Sequence, residues 1–195
     1  MARLARAGAE APLVSAFARA PGFPLAALVA SAVALVLVLG LSACSPPLNW
    51  RTVALGDIAL ELPCKPDHAQ RQVTLGEQKL EMDMVGCEAD GALFAVSRVV
   101  LPKALTTDQL QAHWQTATLQ QMKTQGNPSV APENPRHQAP SLKMLSAAGQ
   151  TPDGRAVQAR LAWAKAGAGL YHFAVYAPRI TPEMAEPFFD GIKAR

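Results

Sequence analysis

Hydrophobic and polar positions fall into two regimes along the chain. From Leu25 to Gly40 every residue is apolar, small or hydroxylated, and Arg3, Arg6 and Arg19 precede the run against the single acid Glu10. A positive leader followed by an uncharged apolar stretch is the profile of an export signal, and it predicts a signal helix ahead of the folded part. Beyond Trp50 the pattern shortens to strand period. Ile58, Leu60 and Leu62 alternate with Ala59 and Glu61, and together with residues 51–55 across Gly56-Asp57 they predict a hairpin ending at Pro63. Residues 70–75, 78–88 and 92–101 predict a meander, because Gly76-Glu77 and Asp90-Gly91 supply the positive φ that tight turns require. In its central strand Leu80, Met82 and Met84 point one way, and Glu81, Asp83 and Val85 the other.

The pattern then changes period. Thr106 with Gln109 three residues later is a capping box, and Leu110, Trp114, Ala117 and Met122 recur at helical spacing up to Gly126. Residues 127–140 hold Pro128, Pro132, Pro135 and Pro140, which predicts a long loop, either a surface excursion or a binding loop. Residues 142–148 and 155–165 bracket the turn Thr151-Pro152-Asp153-Gly154. Residues 170–177 follow as a last strand, with Tyr171, Phe173 and Val175 on one face. Thr181 as N-cap and Pro182 in the first turn open a closing helix that carries Pro187 and packs through Phe188, Phe189 and Ile192. Strands, helix, loop, strands and a terminal helix predict an α+β fold for residues 50–195, an antiparallel β-sheet flanked by helices.

Leu41-Ser42-Ala43-Cys44, directly after the apolar run, resembles the lipobox of bacterial lipoproteins at all four positions. The resemblance implies that residues 1–43 are a lipoprotein signal peptide and that Cys44 is lipidated and becomes the new N-terminus. The small residues before it leave the scissile bond accessible to the peptidase. The rival reading is a signal anchor that stays in the bilayer, since the run approaches spanning length. Several acyl chains, palmitate among them, would hold Cys44 at a membrane without any spanning helix. Ser45 rather than Asp after the cysteine resembles the sorting pattern for the outer membrane, facing the periplasm. Residues 44–49, with Pro46 and Pro47, then form a lipidated tether.

Processing alters the charge picture. The signal carries away three arginines and one glutamate, so the formal charge of +3 on the 195-residue chain falls to about +1. No basic stripe remains for nucleic acid. Cys64 and Cys87 are then the two thiols left in an oxidising compartment, and a disulfide between them would close a loop of about two dozen residues worth roughly 3 kcal/mol. A redox or metal-binding thiol pair is the alternative, but it lacks a CxxC spacing and a neighbouring histidine pair.

The opening hairpin running into Ala59-Leu60-Glu61-Leu62-Pro63, the mid-chain helix, the late hairpins and Phe188-Phe189-Asp190-Gly191-Ile192 resemble the PsbP-like sandwich fold. That family spans photosystem extrinsic proteins, a Ran-binding protein and many bacterial secreted or lipoprotein members. The resemblance implies a fold and carries over no functional residue.

Catalytic patterns are missing from the sequence. His68, His113, His137 and His172 show no HExxH spacing, and no GxSxG, phosphate loop or dinucleotide fingerprint occurs. No catalytic residue, cofactor or metal site is expected. Glu81 and Asp83 share a strand face, as paired carboxylates or, more simply, as a solvated face. Met82 and Met84 read as core filling, with soft copper ligation as the alternative. His172 reads as a polar-face or edge histidine, Trp114 and Trp163 as core, and Trp50 beside the tether as a contact surface. Two functions follow as expectations. The first is a non-enzymatic envelope module that binds a protein partner or stabilises an assembly. The second is a small-ligand-binding or weakly hydrolytic protein with a cleft by the 127–140 loop.

Overall fold

A computed structural model describes residues 48–130 and 142–195. The signal segment, Cys44 and its lipobox, the proline tether to residue 47, and residues 131–141, which include residues 131–140 of the expected loop, lie outside the described residues. The strands run β1 (Arg51–Leu55), β2 (Ile58–Leu62), β3 (Asp67–Leu75), β4 (Gln78–Ala89) and β5 (Ala92–Val100), followed by helix α1 (Thr107–Gln121). Then come β6 (Ser129–Val130), β7 (Lys143–Gln150), β8 (Ala156–Ala166), β9 (Gly169–Ala177), helix α2 (Pro182–Asp190) and β10 (Lys193–Ala194). No helix among the described residues is long and apolar enough to cross a membrane.

Two antiparallel sheets result. The seven-stranded sheet has the order β3-β4-β5-β9-β8-β7-β6, and the opening hairpin joins β10 in a separate sheet of order β1-β2-β10. The single sheet expected from the sequence is therefore two; β10, which closes the small one, is a two-residue strand too short to leave a periodic signal. Asp90 and Gly91 both have positive φ, +50° and +71°, the pair that a two-residue hairpin between β4 and β5 demands.

Both faces of the large sheet are covered, which is why β9 is buried along nearly its whole length. On one face Phe94, Val96, Tyr171 and Phe173 meet Ile58, Leu60 and Leu62 of the small sheet and Phe188 and Phe189 of α2. On the other, Val99, Leu161, Trp163 and Leu170 meet Leu110, Trp114 and Met122 of the α1 segment. The two faces alternate along every strand, as the strand period requires.

The caps differ. Thr106 accepts from Gln109 N at 3.2 Å and its own N–H donates to Gln109 Oε1 at 2.9 Å, the expected capping box. Thr181 holds the N-cap position of α2, but its side chain makes no cap bond to the backbone. Its hydroxyl and the Glu183 backbone N–H instead hold the exposed Glu183 carboxyl below its ordinary range, the backbone bond having the larger effect. Cys64 and Cys87 are disulfide-bonded, with Cα atoms 5.9 Å apart, and this ties the end of β2 to β4. Trp50 is not a free surface: it is half-buried and edge-on to Phe94, with centroids 6.1 Å apart.

Candidate binding cleft

A recess lies between α1 and the large sheet, and its origin is visible in the ladder. Gly86 pairs with Ala95 and Ala95 with Ala174, so three neighbouring strands present only small residues in one row. The helix stands over that row on Trp114, Thr118, Gln121 and Met122, which at spacings of three and four occupy one face. A helix held up by large side chains above a row of small ones leaves a gap. Its volume is about 760 Å³, within the range of small-molecule sites.

The adjacent row is Met84, Ser97, His172 and Trp163, paired in that order across β4, β5, β9 and β8. Ser97, His172 and Thr118 are the buried polar residues among the described ones, and all three line the cleft. Thr118 is satisfied, its hydroxyl donating to Trp114 O at 2.9 Å. His172 is not: Nε2 is buried without a hydrogen-bond partner, and so is Nε1 of Trp163. The imidazole stacks on Trp163 at 4.6 Å and 20°, and Trp114 leans on it at 5.5 Å. Burial pushes its pKa down to about 3, so the ring is neutral at ordinary pH. Burial likewise pushes the Tyr176 phenol, which also lines the cleft, up to about 12. The rim is mixed, with Arg71, Glu88, Asp90 and Arg155.

These positions overturn the reading of His172 as a polar-face or edge residue, since β9 is a central strand and its second face lies under α1. Met82 and Met84 do share the face expected of them. Met82 is buried, while Met84 is half-buried along the cleft. Ser97 and Thr118 escaped sequence reasoning because only cross-strand register and helix placement bring them to His172. Among the described residues no three His, Cys, Asp or Glu side chains group as a metal site.

Glu81 and Asp83 lie on the opposite face, where Gln70 Nε2 donates to both at 2.6 and 2.8 Å. Asp83 also meets Arg98 at 3.4 Å. Arg98 Nε donates to Tyr171 Oη at 3.1 Å, the Asp57 N–H donates to the same oxygen at 2.8 Å, and Tyr171 Oη donates to Asp57 Oδ2 at 3.4 Å. Glu81 is thus held by Gln70 beside Asp83, which joins, through Arg98, a latch that fastens the β1–β2 turn. Gly56 and Gly167 complete it, since a Cβ at Gly56 would sit 2.6 Å from Tyr171 Oη and one at Gly167 2.6 Å from the Asp57 carboxyl. Near the expected loop, Gln125, Asn127, Ser129 and Arg160 border a shallower groove of about 400 Å³, with residues 131–141 outside the description.

Compared with known proteins, the chain matches no family model and no curated relative.

Proposed function

We propose that this chain is a lipid-anchored, non-catalytic binding protein of the cell envelope that holds a small ligand in the cleft between α1 and the large sheet. The anchor in this reading is Cys44, and the compartment is the periplasmic side of the outer membrane. The lipobox supports the first, Ser45 the second, and the Cys64–Cys87 disulfide suits an oxidising compartment. A PsbP-like sandwich belongs to the same proposal, supported by an opening hairpin, an antiparallel sheet and helices that cover its two faces.

The observation that carries the ligand reading is the recess of about 760 Å³ built over Ala95 and Ala174, apolar along most of its wall and holding an unpartnered imidazole at its floor. Small-molecule sites combine such walls with a few convergent polar groups. The non-catalytic part rests on chemistry: among the described residues no carboxylate hydrogen-bonds His172, so the third group of a nucleophile-activating triad is not found beside it. A protein-partner role finds less support, because the exposed large apolar side chains among the described residues, Leu93 and Val100 at opposite ends of β5 and Val130 on β6, form no single patch.

The test is a titration of the full chain in lipid nanodiscs with a solvatochromic naphthalene dye, comparing wild type with Ala95→Phe, which fills the recess. Saturable blue-shifted emission in wild type that is absent from Ala95→Phe is expected. Identical titrations in both would contradict the proposal.

A further inference from the structure

We propose that the groove across β6, β7 and β8, on the face of the large sheet opposite α1, binds the free terminal carboxylate of a short peptide, with Arg160 as its counter-charge. The site is separate from the cleft beneath α1 and does not depend on it. Ser129 pairs with Ser146 and Ser146 with Arg160, so one cross-strand row carries two hydroxyls and a guanidinium. The next row on the same face sets Ala148 beside Gln158. Val175, the β9 partner of Arg160, is buried in the core formed with α2 and the small sheet, but that cover stops short of Arg160, which is half-buried. Ile180, just ahead of α2, and Gln125 and Asn127, just ahead of β6, border the groove.

Every polar side chain of this lining can donate a hydrogen bond, and no aspartate or glutamate borders it. Arg160 has no hydrogen-bond or ion-pair partner among the described residues, so a guanidinium that burial has stripped of part of its water meets no opposite charge in return. Gln158 Oε1 accepts from Ile180 N at 2.9 Å, which fixes the amide and leaves its Nε2 hydrogens for a ligand. A single guanidinium supplies one positive charge and a planar fork, matching the charge and the two parallel oxygens of a carboxylate; a phosphate dianion would be only half neutralised. The amides of Gln125 and Asn127 both donate and accept, as a peptide group does. The volume of about 400 Å³ suits a small molecule, and Ala148 on the floor leaves that space open.

The test is a saturation-transfer NMR titration of the full chain in lipid nanodiscs with acetyl-dialanine, with its C-terminal amide and with inorganic phosphate. Saturable binding of acetyl-dialanine is expected, weakening as salt is raised and about tenfold weaker for the amide, which cannot accept the fork as an anion. Arg160→Gln should lose a similar factor. Arg160→Lys keeps the charge without the fork and should fall between the two. Ala148→Phe fills the groove from an exposed position and should abolish binding without lowering the thermal midpoint. Equal affinity for acid and amide in wild type, or unchanged binding in both Arg160→Gln and Ala148→Phe, would overturn the proposal. So would the lack of any saturable signal in wild type. Tighter binding of phosphate than of acetyl-dialanine would reassign the groove and overturn it as well.

Discussion

Tyr171 and His172 are neighbours on β9, point to opposite faces, and resolve their polarity in opposite ways. The Tyr171 hydroxyl is fully used, accepting from Asp57 N and Arg98 Nε and donating to the Asp57 carboxylate. Removing it in Tyr171→Phe strands two donors in a packed interface. Chemical denaturation should show a loss of about 1–3 kcal/mol, and an unchanged midpoint would mean that the latch contributes nothing. His172 has the reverse problem, a buried ring with no partner for Nε2. Its folded pKa of about 3 lies below the ordinary 6.5, so as pH falls the unfolded chain takes the proton first. The contribution of His172 to stability should therefore be full above about pH 6.5 and fall by up to ~1.4 kcal/mol per pH unit below it, the loss levelling off near pH 3. In His172→Phe the slope between pH 6.5 and 5 should flatten, and denaturation curves with equal slopes in both proteins would contradict the assignment.

At the scale of elements, the β1–β2 hairpin is fixed at both ends. The turn docks through Asp57 and Tyr171, and the Pro63 end is fastened by the Cys64–Cys87 bond to β4. Replacing both cysteines in Cys64→Ala/Cys87→Ala should cost roughly 3 kcal/mol by the loop-entropy argument, read as a lower denaturation midpoint. An unaltered midpoint would mean that packing alone holds the hairpin. Much of this scale was legible in the sequence: Thr106 and Gln109 announced the start of α1, and Asp90-Gly91 the turn into β5. These signals are local, written in a few consecutive residues. What stayed hidden depends on register. Nothing in the runs around Gly86, Ala95 and Ala174 says that they fall in one row, and only that row hollows out the cleft. His172 was misplaced for the same reason, since an alternation inside a strand cannot say whether its second face meets water or a helix. The separate sheet closed by Lys193–Ala194 was likewise invisible, two residues being too few to show a period.

At the scale of the whole molecule, the small sheet with α2, the large sheet, and α1 stack as three layers with two apolar interfaces between them. The latch lies between the first two layers and the cleft between the last two, so binding beneath α1 leaves the fastened hairpin untouched. The chain enters this stack at β1, seven residues beyond the cysteine expected to carry lipid; a membrane-held binding site follows from that arrangement only if Cys44 is the mature N-terminus. Intact-mass and N-terminal peptide spectrometry of the protein isolated from its own envelope tests this most directly. The expected product begins at Cys44, lacks residues 1–43 and carries acyl chains on that cysteine. A product with the Ala43–Cys44 bond whole, or with Cys44 unmodified, would contradict the anchored reading and the compartment assigned with it.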